Sequence, residues 1–291
     1  MTGARIVVVG SVNMDLVTTV RRRPEPGETV SGEGFALVPG GKGSNQAIAA
    51  RRAGGAVEFV GAVGGDVFAA ALRKVLSEAG VGVTRLREVD GPSGTATIVV
   101  DGDGENTIIV VAGANGRMTE LTAGDLDSIA AADVLMCQLE IPVETVLAAA
   151  RHARANGTVV LLNPSPVQEL PAQLWAEVDV AVVNEGEATR LKADLADVPH
   201  VITTLGAAGA SYRGPDGHTR SHPGVPVRVV DTTGAGDSFT GALAAHWHEG
   251  PETALAWACT AGALATTKLG ASASIPEFEE IRRALADGGT R

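Results

Sequence analysis

The stretch "DVLMCQLEIPVETVLAAARHARANGTVVLLNPSP" (Asp133–Pro166) decides the fold. It reads strand, helix, strand: the apolar runs "VLMC" and "VVLL" flank a segment with helical spacing. Strands joined through a helix pair in parallel. The alternation continues outward in both directions. "RIVVVG" (Arg5–Gly10) is a continuous β-branched run ending in Gly, the pattern of a strand buried on both faces. "GSNQAIAARRAGG" (Gly43–Gly55) reads as a helix and "VEFVGAVGG" (Val57–Gly65) as a strand. "FAAALRKVLSEAG" is an amphipathic helix closed by Gly80. "DVAVVNEGEATRL" and "HVITTLGAAG" extend the series. The expected architecture is α/β: a three-layer α/β/α arrangement around a mostly parallel sheet.

Two segments break the rhythm, at about residues 15–39 and 94–112. "DLVTTVRRRPEPGETVSGEGFALVPG" has short alternating strands around a Pro/Gly loop, and "GTATIVVDGDGENTIIVVAGAN" is a hairpin with a Gly/Asp turn. Neither is followed directly by a helix. They are expected to form a small sheet inserted in one domain over residues 1–291; the alternative is extra edge strands of the main sheet. "LKADLADVPH" (Leu191–His200) leaves room for little more than one short helix between two strands.

A chain of 291 residues has ample core for one large domain. Aromatics are only 3%, so Ala, Val and Gly do the packing and elements can approach closely. The formal net charge of −11, with Arg21–Arg23 the longest basic run, argues against a nucleic-acid partner. Cys137 and Cys259 are isolated and read as reduced core residues of a cytoplasmic protein. The 6 histidines lack ligand spacing, so no His or Cys metal site is expected. "MTGARIVVVG" has too short an apolar run for a signal peptide, and no run is long enough to span a membrane.

Polar clusters follow the expected strands: "GSVNMD", "QLE", "NPSP", "NEGE" and "TLGAAG". In open α/β sheets ligands bind beyond the carboxyl ends of strands, so these clusters mark a long cleft. The first strand lacks G-x-G-x-x-G, and Lys42 is followed by Gly43 rather than Ser or Thr. Neither a nicotinamide domain nor a P-loop is supported.

In "TTGAGDSFTGALAAHW" (Thr232–Trp247), Phe239, Leu243 and Trp247 fall on one helical stripe. Gly234, Ala235 and Gly236 therefore precede a helix, where free N–H groups and the dipole favour an anion. Asp237 lies in its first turn. An acid there can be a simple first-turn carboxylate, but three small residues before it also let an oxygen reach the amides. An anion hole beside a carboxylate suits phosphoryl transfer to a hydroxyl. "PGGKGSNQAIAA" (Pro39–Ala50) is a second bare loop before a helix; with Asn13 and Asp15 it offers the groups that sugar hydroxyls bind.

These segments, with "GENTIIVVAGAN", "LMCQLE" and "LNPSP", resemble the PfkB-type sugar kinases, and among them those acting on ribose; the resemblance runs from about Val7 to Pro276. It implies Asp237 as the base that deprotonates the sugar's 5-hydroxyl, with Gly234, Ala235 and Gly236 as the anion hole for the γ-phosphoryl group of ATP. Asn13, Asp15, Gly41, Lys42, Asn45 and Glu140 would bind D-ribose. Asn184 and Glu187 would organise Mg²⁺ and phosphates, largely through water. Thr204, Leu205, Gly206, Ala207, Ala208 and Gly209 would lie along the nucleotide, with Gly236 and Cys259 beside it. Asp231, Thr233, Ala265, Lys268, Gly270 and Ser274 match the positions around the family's monovalent-cation site, for K⁺. The small sheet would be a lid over the sugar, and paired lids would make a homodimer. The chain departs from the pattern in its short Leu191–His200 segment and in Cys259, where relatives often carry His. Alternatives are a kinase of the same family for deoxyribose or a nucleoside such as adenosine, or a non-catalytic sugar sensor.

Overall fold

The computed structural model describes residues 3–288. Its strands are β1 (Arg5–Val9), β2 (Asn13–Val20), β3 (Gly32–Gly40), β4 (Ala56–Gly64), β5 (Leu86–Val89), β6 (Gly94–Val100), β7 (Asn106–Val111), β8 (Val134–Cys137), β9 (Val159–Leu162), β10 (Val180–Asn184), β11 (His200–Thr204), β12 (Ala210–Arg213) and β13 (Thr219–His222). Its α-helices are α1 (Lys42–Arg52), α2 (Ala69–Glu78), α3 (Ala123–Ala130), α4 (Val143–Ala155), α5 (Ala172–Trp175), α6 (Glu185–Arg190), α7 (Ala235–His246), α8 (Pro251–Ala265) and α9 (Phe278–Gly288).

The opening stretch folds as β8–α4–β9, and the two strands pair in parallel. They sit inside a nine-stranded sheet of order β13-β12-β11-β10-β9-β8-β1-β4-β5. It is parallel from β11 to β5; β12 and β13 add antiparallel edge strands. The continuous apolar runs are explained by burial on both faces. Along β1, Ile6 and Val8 join the core under α1, α7 and α8, whereas Val7 and Val9 join the core under α3 and α4. The three-layer α/β/α expectation is met.

The scarcity of aromatics shows in the helix contacts. A Cβ on Gly241 of α7 would lie 2.5 Å from the Ala49 Cβ and 2.6 Å from the Gln46 carbonyl oxygen of α1. Only glycine lets these two helices touch along their backbones, and that contact brings their amino ends together.

The off-rhythm segments form a separate four-stranded sheet of order β3-β2-β6-β7. They are not edge strands of the main sheet. Each segment is an antiparallel hairpin, and the two hairpins join through a parallel β2–β6 pairing. Every residue of β7 is exposed, and Phe35 on β3 is 64% exposed. Among the described residues, no helix is long and apolar enough to cross a membrane. Both cysteines are buried free thiols, pushed up to about 12 by burial.

Candidate active site

The carboxyl ends of β1, β8, β9, β10 and β11 open towards the amino ends of α1 and α7. Gly234 caps α7 in the left-handed region, with φ 77°, and no side chain caps the helix. A Cβ there would strike Ala271 at 2.9 Å, so its neighbour loop fixes this glycine. Gly236 differs: no atom lies within 4 Å of where its Cβ would be. The Ala235 N–H donates to the Thr232 carbonyl at 3.2 Å, so this amide, expected in the anion hole, is already engaged in the turn.

Asp237, one residue further, is 8% exposed. Its Oδ2 accepts from Asn45 Nδ2 at 3.1 Å and its Oδ1 from Gln46 Nε2 at 3.0 Å. Burial pushes its carboxyl up, against the pull of Lys42 and the two amide hydrogen bonds; Glu140 adds to the upward push. The Asn45 Oδ1 is buried without a donor.

The first glycine loop is dictated by the strand beside it. Gly41 has φ 93°, and its Cβ would lie 2.8 Å from the Asn13 N. A Cβ on Gly40 would lie 2.3 Å from the Asp15 carboxylate, and one on Gly43 2.5 Å from the Ser11 N. Asp15, against Gly40 and part-buried, is pushed up to about 7 by desolvation first, then by Glu140 and Asp237. Asn13 is buried, and its Oδ1 accepts from Asn115 Nδ2 at 2.7 Å. Asn115 also holds both backbone groups of Val12, at 3.0 and 3.1 Å. Glu140 accepts from the Lys42 N–H at 3.0 Å and from the Ser11 hydroxyl. It therefore anchors the start of α1, which has no side-chain cap of its own.

Asn184 and Glu187 form a capping box on α6, each side chain accepting from the other's backbone N–H at 2.8 Å. They line one cleft of about 170 Å³ with Lys42, Asn163, Gly236 and Asp237. The box uses one Glu187 oxygen, Oε2. A groove of about 480 Å³ continues past Gly236. Thr204, Gly206, Ala207, Gly209 and Cys259 line it, whereas Leu205 and Ala208 do not. Val225, Pro226, Val227 and Val229 line it too, with Phe239 and Ala263, none of them expected there from the sequence. The 225–229 segment alternates Val225, Val227 and Val229 with Pro226 and Arg228, yet forms neither helix nor strand.

Asp231 ties the loop before α7 to the loop after α8. Its Oδ1 accepts from the Thr233 N–H at 2.9 Å and the Thr233 hydroxyl at 2.7 Å; its Oδ2 accepts from the Gly270 N–H at 2.9 Å. Ala265 and Ser274 are buried, and Ser274 donates to the Ala271 carbonyl at 2.9 Å. The Lys268 side chain instead pairs with Glu280 on α9 at 3.0 Å, so any part it takes at this site is through its backbone.

A cleft that places a buried carboxylate beside a helix end without a side-chain cap, with an apolar groove running on from it, suits phosphoryl transfer. Residues 4–277 match the pfkB family carbohydrate kinase, and the chain belongs to that family: it is a sugar kinase. It is similar to the ribokinase of Lactococcus lactis subsp. lactis, 37% identical with 97% of each chain covered. It is also similar to the ribokinase of Bacillus subtilis, 38% identical over 97% of this chain and 99% of that one. A solved structure, Arabidopsis thaliana ribokinase complexed with ribose and ATP, superposes with TM-score 0.91 at 30% identity, covering 97% of this chain and 99% of that one.

Proposed function

We propose that the enzyme transfers the γ-phosphoryl group of ATP to O5 of D-ribose, giving ribose 5-phosphate and ADP. The single observation that carries this reading is the pairing of Asp237 with the open amino end of α7. In the reaction the 5-hydroxyl gives its proton to Asp237 as its oxygen bonds to the γ-phosphorus. The bond from that phosphorus to the bridging oxygen breaks, and ADP leaves. Burial makes Asp237 a stronger base than an exposed aspartate, which suits the task. The amides of Gly234 and Gly236 would face the charge on the group in transfer, whereas that of Ala235 is already given to the Thr232 carbonyl.

The donorless Asn45 Oδ1 supports a hydroxyl-bearing ligand, because such an atom costs about 1–3 kcal/mol until a donor fills it. With Asn13, Asp15, Gly41, Lys42 and Glu140 it would surround the sugar. The groove along Thr204–Gly209 and Val225–Val229 suits an adenosine. Among the described residues, no cluster of three or more His, Cys, Asp or Glu could hold a metal. A magnesium ion would therefore be held by phosphate oxygens and by waters on Asn184 and Glu187, and would neutralise phosphate charge there. Carbonyls of the two loops joined by Asp231 suit K⁺. Buried free thiols suit the reducing cytoplasm.

An ADP-release assay over pentoses, hexoses and nucleosides tests the substrate. D-ribose is expected to give the highest kcat/KM; a nucleoside or deoxyribose in its place overturns the assignment. The small sheet is read as the lid. Ile108 and Val110 project from one face of β7 and Ile109 and Val111 from the other, all about half exposed or more. Two apolar faces need more cover than one cleft, so we assign a lid-to-lid homodimer. Light scattering is expected to give a dimer at micromolar concentration, and a fully active monomer refutes it.

A further inference from the structure

A run of buried primary amides stands behind Asp237. Gln46 is fully buried. Its Nε2 donates to Asp237 Oδ1 and to Asn163 Oδ1, both at 3.0 Å. Its Oε1 accepts from Gln138 Nε2 at 2.6 Å, and Gln138 is fully buried too. Asn163 Nδ2 in turn donates to the Val182 carbonyl at 2.9 Å. The chain has one direction only. An ionised carboxylate can only accept, so Gln46 must turn its NH₂ towards Asp237. Gln138 must then turn its NH₂ towards Gln46, which leaves the Gln138 Oε1 buried with no donor. A fold stabilised by packing alone has no reason to retain that orphan.

We propose that Gln46, held by Gln138 and Asn163, is the positioning residue that keeps Asp237 ionised and aimed before the sugar arrives. The inference rests on the reading of Asp237 as the base. The relay touches neither the sugar-facing Asn45 Oδ1 nor the nucleotide groove. It acts through one oxygen of Asp237, while Asn45 fixes the other, so the carboxylate cannot rotate. The remaining charged groups around Asp237 are Lys42 at the start of α1, Glu140 after β8 and Asp15 on β2. Lys42 favours the ionised form and the two acids oppose it. The amide donors work with Lys42 in that balance.

The test is the pH profile of kcat/KM for ribose in Gln46→Met, Gln46→Glu and Gln138→Met, with Asp237→Asn as reference. Losing a donor to a carboxylate raises its pKa, so the acid limb is expected to move up by roughly one pH unit in Gln46→Met. Gln46→Glu is expected to move it further, because a second carboxylate faces the first. Gln138→Met moves it less, in the same direction. Maximal kcat falls roughly tenfold in Gln46→Met, and nucleotide KM is unchanged. If Gln46→Met is poorly folded, the other two variants read the same limb. Wild-type acid limbs in folded variants, with Asp237→Asn inactive, overturn the relay and leave the base intact. An active Asp237→Asn overturns the base, and the relay with it.

Discussion

Around Gly40–Gly43 the space that a side chain would need is already filled; around Gly236 it is empty. Both loops feed helices whose first turns meet at Asp237. In the first loop, glycine is required because Ser11, Val12, Asn13 and Asp15 press against the backbone. Removing bulk there lets the protein touch itself. At Gly236 nothing in the protein presses back, and the proposed phosphoryl transfer would use that space. The same residue type thus makes a structural contact in one loop and leaves room for the proposed ligand in the other.

The largest expected effect lies where the loops meet. Asp237→Asn is predicted to lower kcat by roughly 10²–10⁴, the worth of a positioned base. Ribose affinity should hold within about tenfold, since Asn13, Lys42 and Glu140 remain. Isothermal titration beside steady-state kinetics separates the two. Near wild-type turnover ends the base assignment.

Two matched substitutions have opposite expected outcomes. Gly43→Ala puts a methyl 2.5 Å from the Ser11 N, which backbone cannot yield cheaply. It is expected to cost about 1–3 kcal/mol of stability, seen as a lower Tm. Gly236→Ala is expected to leave stability within about 0.5 kcal/mol, because its methyl meets nothing. It should still lower kcat roughly tenfold or more by crowding the phosphoryl group. A Gly236→Ala enzyme with full turnover breaks the distinction.

The parallel sheet was readable because β1, β8, β9 and β10 are buried on both faces and so are apolar without interruption. The small sheet was readable from its period of two; the expected lack of a following helix holds badly as a sign of its separateness, because β3 runs into α1 with only Gly41 between them. The parallel joint between β2 and β6 was not, since nothing local encodes which hairpins pair. The glycine loops and Asp237 stood out by composition and by family resemblance. The amide relay did not. Gln138 and Asn163 lie in "QLE" and "NPSP", clusters that marked the cleft, but only the fold shows that they are bonded to Gln46 and, through it, to Asp237. One signal existed: Gln46 sits in "NQAIAA", a run otherwise small and apolar, inside a helix buried from Gly43 to Ala50. Asn184 and Glu187 carried a double meaning, since an N-x-x-E spacing is equally a capping box. Val225–Val229 alternates like a strand, but nothing local says that it walls a groove.

The first loop's tight fit has a charge consequence. Asp15 is pressed against Gly40 among Glu140 and Asp237, and its carboxyl is pushed up from 3.8 to about 7. Between those values the folded protein holds a proton that the unfolded chain has lost. Stability of the free enzyme is therefore expected to fall as pH rises from about 4 to about 7 through this group. Asp15→Asn should flatten part of that slope; Asp237, shifted the same way, retains the rest. Thermal melts across this range decide it, and an unchanged slope in Asp15→Asn refutes the account.

The smallest expected effect concerns what holds the second loop still. The first is pinned by its own contacts. The second contains small residues, and each glycine loses much backbone entropy on ordering. Its amides help only if they are aimed before the phosphate arrives. Gly234 is buttressed by Ala271, and Asp231 ties Thr233 to Gly270, so the two loops are joined at a few points. A large monovalent cation among their carbonyls would stiffen the remainder, with Asp231 as its one charged neighbour. If packing already suffices, no cation is needed, and the two loops differ less than proposed. We expect kcat/KM for ribose and MgATP to rise several-fold when K⁺ replaces Na⁺ at constant ionic strength. Asp231→Ala should lose most of that response, while Gly43→Ala, which loosens the other loop, should keep it. Equal rates in K⁺, Na⁺ and a bulky organic cation would leave Asp231 as a loop tie alone.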